Sequence, residues 1–92
     1  MNDQTLRFII ILESLATSRE PLTTHALGQR LQQLGHPTTL RSIQRSIETL
    51  SREFWIDRDN QRYSLQSRLS KRLIRSMQVI IEDETQRISE CV

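Results

Sequence analysis

Arg41, Gln44 and Arg45 stand at the spacing that gathers side chains on one side of an α-helix. A guanidinium offers a rigid fork of donors, and a carboxamide offers a donor beside an acceptor. The trio can therefore make paired hydrogen bonds to flat polar groups such as a phosphate, a carboxylate or the edge of a base. The surrounding stretch, Thr39 to Leu50, reads T-L-R-S-I-Q-R-S-I-E-T-L. At about 3.6 residues per turn, Ile43, Ile47 and Leu50 share a stripe with Leu40 at its edge, while Arg41, Arg45, Glu48 and Arg52 fall opposite. Thr39 can cap the amino end through its hydroxyl, and Gly35 and Pro37 keep the preceding helix from running through. The pattern predicts two helices separated by a short turn, the second with one core face and one polar, Arg-rich face.

Such a face is suited to base edges. Arg forks onto guanine O6 and N7, Gln onto adenine N6 and N7, and a major groove admits the helix that carries them. The competing reading is a solvated helix side with ion pairs to Glu48. Thr38, Thr39 and Ser42 can bond phosphates at the helix start, where the backbone adds partial positive charge, although capping accounts for Thr39 equally well. Further along, Phe54, Trp55 and Ile56 lead into Asp57-Arg58-Asp59-Asn60-Gln61, after which Arg62, Tyr63, Ser64 and Leu65 alternate polar with apolar. This is a β-hairpin signal, with Ile56, Tyr63 and Leu65 facing the helices and the Asp59-Asn60 turn projecting. Arg58 and Arg62 can sit on phosphates or enter a minor groove, with Asp57 and Asp59 diluting the local charge. Trp55 reads as a packing residue, since a lone aromatic is poor evidence for stacking on single strands.

The organising stretch resembles the second helix of the winged helix-turn-helix in DeoR-like and WYL-domain bacterial transcription regulators. Their pattern is approximately S-x-R-T-I-x-R-D-L-x-x-L, and Thr39, Arg41, Ser42, Ile43, Gln44, Arg45, Ile47 and Leu50 occupy the corresponding places. The likeness runs from about Leu6 to Leu65, roughly two thirds of the chain. Ser46 stands where the family usually has Asp, and Ser42 where it usually has Thr. Nothing in the sequence resembles the WYL ligand-sensing domain. The resemblance implies a winged helix-turn-helix fold and a double-stranded DNA partner.

The 92 residues amount to one small unit, with 36% hydrophobic and 26% charged residues, which is neither a disordered nor a membrane composition. Net charge is only +2, but of the 13 basic residues Lys71 alone is lysine, and the rest are the forked kind. The apolar run Phe8 to Leu12 is far shorter than the roughly 20 residues a membrane span needs, and Asp3 ahead of it does not suit a signal peptide. With the single cysteine at Cys91, internal disulfides and cysteine-based metal sites are excluded, and a cytoplasmic location is expected. His25 and His36 have no nucleophile or paired carboxylate near them in sequence, and Cys91 is a weak nucleophile candidate. No catalysis, cofactor, metal or small-molecule ligand is expected.

The elements that must position the trio follow from periodicity. Residues 4 to 17 form a first helix with Asp3 near its start as a cap, and Leu6, Ile9, Ile10, Leu12, Leu15 and Ala16 make its apolar face, leaving Phe8 and Ile11 partly outside, exposed in a monomer or covered by a second subunit. A second helix runs from about Thr24 to Leu34 on Ala26, Leu27, Leu31 and Leu34. Beyond the hairpin, Leu69, Leu73, Met77, Ile80, Glu84 and Ile88 lie along a narrow stripe, flanked by Ile74 and Ile81, in a long helix without Gly or Pro. That stripe approaches a coiled-coil seam, so the expected partner is the same helix of a second copy, with Leu69, Leu73, Met77, Ile80, Ile81 and Ile88 at the interface. Arg68, Lys71, Arg72 and Arg75 cluster at its start and Glu82, Asp83 and Glu84 follow.

The sequence thus predicts a mainly α fold with a small β-hairpin: a winged helix-turn-helix DNA-binding domain over residues 1 to 66 and a dimerisation helix over residues 67 to 92. The expected function is a sequence-specific, double-stranded DNA-binding transcriptional regulator, most simply a homodimeric repressor reading an inverted repeat. The alternative is a winged-helix module for binding another protein, or an accessory DNA-binding subunit of a phage or plasmid system.

Overall fold

The computed structural model describes residues 2–90, with side chains described through residue 86. In chain order the elements are α1 (Asp3–Thr17), β1 (Leu22–Thr23), α2 (Thr24–Gln33), α3 (Leu40–Leu50), β2 (Ile56–Asp59), β3 (Arg62–Leu65) and α4 (Lys71–Glu90). The fold is mostly helical with one small three-stranded antiparallel sheet.

Asn2, not Asp3, caps α1: its side-chain oxygen accepts the Thr5 N–H at 2.8 Å, which satisfies one of the orphan donors at the helix start. Every side chain from Ile10 to Leu15 is buried, and a helix so enclosed needs neighbours all round. It has them, packing on α2, α3, α4 and β3. This corrects the expectation at Ile11, which is 0% exposed, whereas Phe8 is half-buried against the core, as its place partly off the face implies. The reason is that α4 and the sheet close the sides that a two-neighbour helix would leave open. Leu6, Ile10, Ile11 and Leu15 meet Leu27 and Leu31 of α2, Ile43, Ile47 and Leu50 of α3, Tyr63 of β3 and Ile81 of α4 in a single core.

Glu13 lies within that buried run of α1. Its carboxylate accepts from Arg30 Nη2 of α2 at 3.1 Å and from Gln78 Nε2 of α4 at 3.3 Å. A buried charge must be paired and hydrogen-bonded, and these two contacts tie α1 to both neighbours.

Thr23 ends β1 and caps α2, accepting the Ala26 N–H at 3.0 Å. At the other end Gly35, with φ 85°, lets the His36 N–H reach Leu31 O at 2.8 Å and its own N–H reach Gln32 O at 3.0 Å. This is a Schellman closure, which requires the left-handed conformation that Gly takes readily. Gly28 has a different use: a Cβ there would stand 3.3 Å from Ile43 Cδ1, so its bare Cα permits the close approach of α2 to α3. β1 was not anticipated, because two residues are too few to show alternation. It pairs Leu22 with Tyr63 and Thr23 with Arg62, making β3 the central strand.

The β2–β3 hairpin turns on Asn60 and Gln61, one residue later than the sequence suggested, and both have positive φ, 55° and 69°. Two left-handed central residues match a type I′ turn, whose preferred sequence is Asn-Gly. Asn tolerates that conformation, whereas Gln carries a Cβ penalty of about 1–2 kcal/mol. Gln61→Gly is therefore expected to stabilise the protein by about 0.5–1 kcal/mol in thermal or urea melts, and an unchanged or lower midpoint would show that the turn holds no such strain.

Ser70 caps α4, its hydroxyl accepting the Leu73 N–H at 3.1 Å, so Leu69 lies ahead of the helix instead of on its stripe. The apolar stripe of α4 divides. Met77 and Ile81, each 5% exposed, are buried within the subunit as α4 lies along α1. This corrects the assignment of both to a contact between copies, since the head buries more of the helix than its size suggested. Leu73 is 44% exposed, Ile80 is half-buried, and Ile88 and Cys91 lie outside the described side chains.

Candidate nucleic-acid interface

α3 presents the candidate face. Ile43, Ser46, Ile47 and Leu50 are buried, which fixes the rotation of the helix and turns Arg41, Gln44, Arg45 and Glu48 outward. Arg41, Gln44 and Arg45 are all exposed, and none of them is in a side-chain hydrogen bond or ion pair among the described residues. In particular the ion pairs to Glu48 that would make this an ordinary solvated face do not form. Leu40, at the edge of the apolar stripe and beside Gly28 of α2, is 50% exposed, and Arg52 follows in the turn after the helix.

The amino end of α3 is internally satisfied. Thr39 accepts the Ser42 N–H at 3.1 Å, and its hydroxyl donates to Ser42 Oγ at 3.0 Å. Thr39 and Ser42 thus serve the cap first, and Thr39 stays exposed while Ser42 is half-buried. Thr38 is half-buried beside His25, Gly28, Gln29 and Leu40, in a shallow depression between α2 and the start of α3. Ser46 is buried and donates back to Ser42 O at 2.9 Å, a local bond that a carboxylate in its place would not make.

The hairpin separates its two arginines. Cross-strand partners share a face, and Arg58 is opposite Tyr63 while Arg62 is opposite Asp59. Ile56, Arg58, Tyr63 and Leu65 therefore occupy the helix-facing side, and Asp57, Asp59, Arg62 and Ser64 the other. Arg58 lies with its guanidinium carbon 6.0 Å from the centre of the Tyr63 ring. It lines a cleft of about 250 Å³ with Gln44, Ile47, Glu48, Ser51, Ile56 and Tyr63, which joins α3 to the sheet. Arg62, between Thr23 on β1 and Asp59 on β2, points away from that cleft. The structure thus brings Arg58 to one cleft with Gln44, keeps Arg41 and Arg45 on the outward side of α3, and leaves Arg62 apart. Trp55 is 68% exposed, so it is not the packing residue the sequence suggested. Its backbone N–H donates to Ser67 Oγ at 2.8 Å.

Gly28 was missed by reasoning from sequence, yet it sets how closely α2 supports α3. A Gly inside a helical pattern is the signal that could have found it. Among the described residues, no group of three or more His, Cys, Asp and Glu side chains is placed to hold a metal ion, and no helix is long and apolar enough to cross a membrane. No protein family, curated protein or solved structure matches the chain at a significant level.

Proposed function

We propose that this chain is a winged helix-turn-helix protein that binds duplex DNA sequence-specifically and regulates transcription in the bacterial cytoplasm, as a homodimer reading an inverted repeat. One observation carries the reading: Arg41, Gln44 and Arg45 stand together on the outer side of α3, in no side-chain hydrogen bond or ion pair among the described residues, on a helix whose other side is locked into the core. A donor fork held ready and otherwise unused is what recognition of a base edge requires.

On this reading α3 enters a major groove, Arg41, Gln44 and Arg45 meet bases, and Thr38, Thr39 and Ser42 lie near the phosphates that flank the helix start. Arg58 approaches from the hairpin on the same side, and β2 and β3 form the wing. Two copies would present their α3 helices about 34 Å apart, or at a multiple of that distance, on successive turns of one duplex face. Binding across a promoter would repress by occlusion.

The test is a salt titration of fluorescence anisotropy with duplexes selected from a random pool. Affinity should fall steeply and linearly on a log–log plot as salt rises, because each neutralised phosphate releases counterions. An absence of measurable duplex affinity at low salt would overturn the proposal and leave the Arg face to an acidic protein partner.

A further inference from the structure

Met77 and Ile81 are used against α1, but α4 keeps a second surface. Leu73 and Val79 are 44% and 42% exposed, and Arg72, Arg75, Ser76, Val79 and Ile80 line an open trough along the helix, while Arg75 and Glu82 also border the cleft that α4 makes with Glu13 and Arg30. Charge is segregated along the same helix. Lys71, Arg72 and Arg75 occupy its first turns, and the exposed acids Glu82 and Asp83 follow about two turns after Arg75.

This arrangement is self-complementary in one orientation only. Two α4 helices side by side and parallel would set cations on cations and acids on acids. Turned antiparallel about a two-fold axis at the level of Val79, they set Arg72 and Arg75 of one copy beside Asp83 and Glu82 of the other, at both ends of the contact. Ser76, Val79 and the exposed edge of Ile80 then lie between the two charged ends, with Leu73 beside Arg72, and the contact covers apolar surface that is otherwise in water. An isologous contact requires a patch that matches itself after a half-turn, and a helix basic at one end and acidic at the other meets that condition.

We infer that the outward side of α4 pairs antiparallel with the same side of a second copy, registered by Arg72 and Arg75 against Asp83 and Glu82. The inference specifies how the proposed homodimer is built and stands apart from whether the dimer binds DNA. It differs from the interface expected from the sequence, in which Met77 and Ile81 took part.

Sedimentation of the whole chain without DNA tests it. Because opposite charges meet, self-association should weaken as salt rises. Arg72→Glu with Arg75→Glu should weaken it about tenfold or more, and Glu82→Arg with Asp83→Arg should do the same. Combining all four substitutions restores the complementarity and should restore the dimer. These side chains are exposed, so helix content should stay unchanged in every variant. A chain that stays monomeric at high concentration and low salt, a dimer that tightens with salt, or a fourfold variant no better than the pairs would each overturn the antiparallel register. A monomer that still binds duplex DNA would do so while leaving the DNA reading in place.

Discussion

Arg45→Ala is expected to lower affinity for a selected duplex by about 1–3 kcal/mol, roughly 5- to 150-fold, with little change in the melting temperature of the free protein. The two halves of this expectation come from the same geometry. Arg45 is exposed and its side chain makes no hydrogen bond or ion pair among the described residues, so the fold should shift by no more than about 0.5 kcal/mol. A donor fork directed at a base edge has no substitute once removed, and the acceptors it served would be left without protein partners. Arg41→Ala should act similarly but relax preference at a different base pair, whereas a uniform loss across sequences would make it a phosphate contact. The hairpin provides the internal control. Arg58 shares the α3 cleft and its removal should weaken binding, while Arg62 lies on the other side of the sheet between Thr23 and Asp59 and its removal should change affinity less than about twofold. Equal losses from Arg58→Ala and Arg62→Ala would mean that the duplex does not approach along α3.

The candidate face was legible in the sequence because one short helix carries it. Once Ile43, Ile47 and Leu50 are assigned to the core, helical geometry alone turns Arg41, Gln44 and Arg45 outward, and the Thr39 cap marks where the helix starts. What escaped was set by distant parts of the chain. Period-two alternation placed Tyr63 correctly and by itself puts Arg58 on the side of Ile56 and Arg62 on the other. The cross-strand pairing of Arg58 with Tyr63 and of Arg62 with Asp59, however, needed the register, which the Asn60-Gln61 turn fixes one residue later than composition suggested. β1 exists because Tyr63 and Arg62 leave an edge for Leu22 and Thr23 to pair with, and a two-residue strand has no pattern of its own. The stripe on α4 was visible, but periodicity cannot say which neighbour covers an apolar stripe. The tie from Glu13 to Arg30 and Gln78 joins residues widely separated in sequence, beyond the reach of a local pattern.

Ile11 is where that limit has its largest energetic consequence. Placed at the rim of α1 by its spacing, it is 0% exposed and packs in the same core as residues from α2, α3, β3 and α4. Truncating a fully buried isoleucine to alanine removes its transfer free energy and leaves a cavity, together about 2–5 kcal/mol. A domain of this size has about 5–14 kcal/mol of total stability, so Ile11→Ala should remove a large share of it and lower the melting temperature by about 10 °C or more. The measurement that gives this meaning is a thermal melt at widely separated protein concentrations. If Ile11 is core, the loss is the same at every concentration, because the missing contacts lie within one subunit. If Ile11 instead sealed a contact between copies, the loss would shrink as concentration rises and mass action restores the dimer. Below its new melting temperature the folded fraction of Ile11→Ala should still bind DNA with unchanged salt dependence, since α3 and its arginines are untouched. A variant that stays fully folded yet loses duplex affinity would mean that α1 itself touches the nucleic acid.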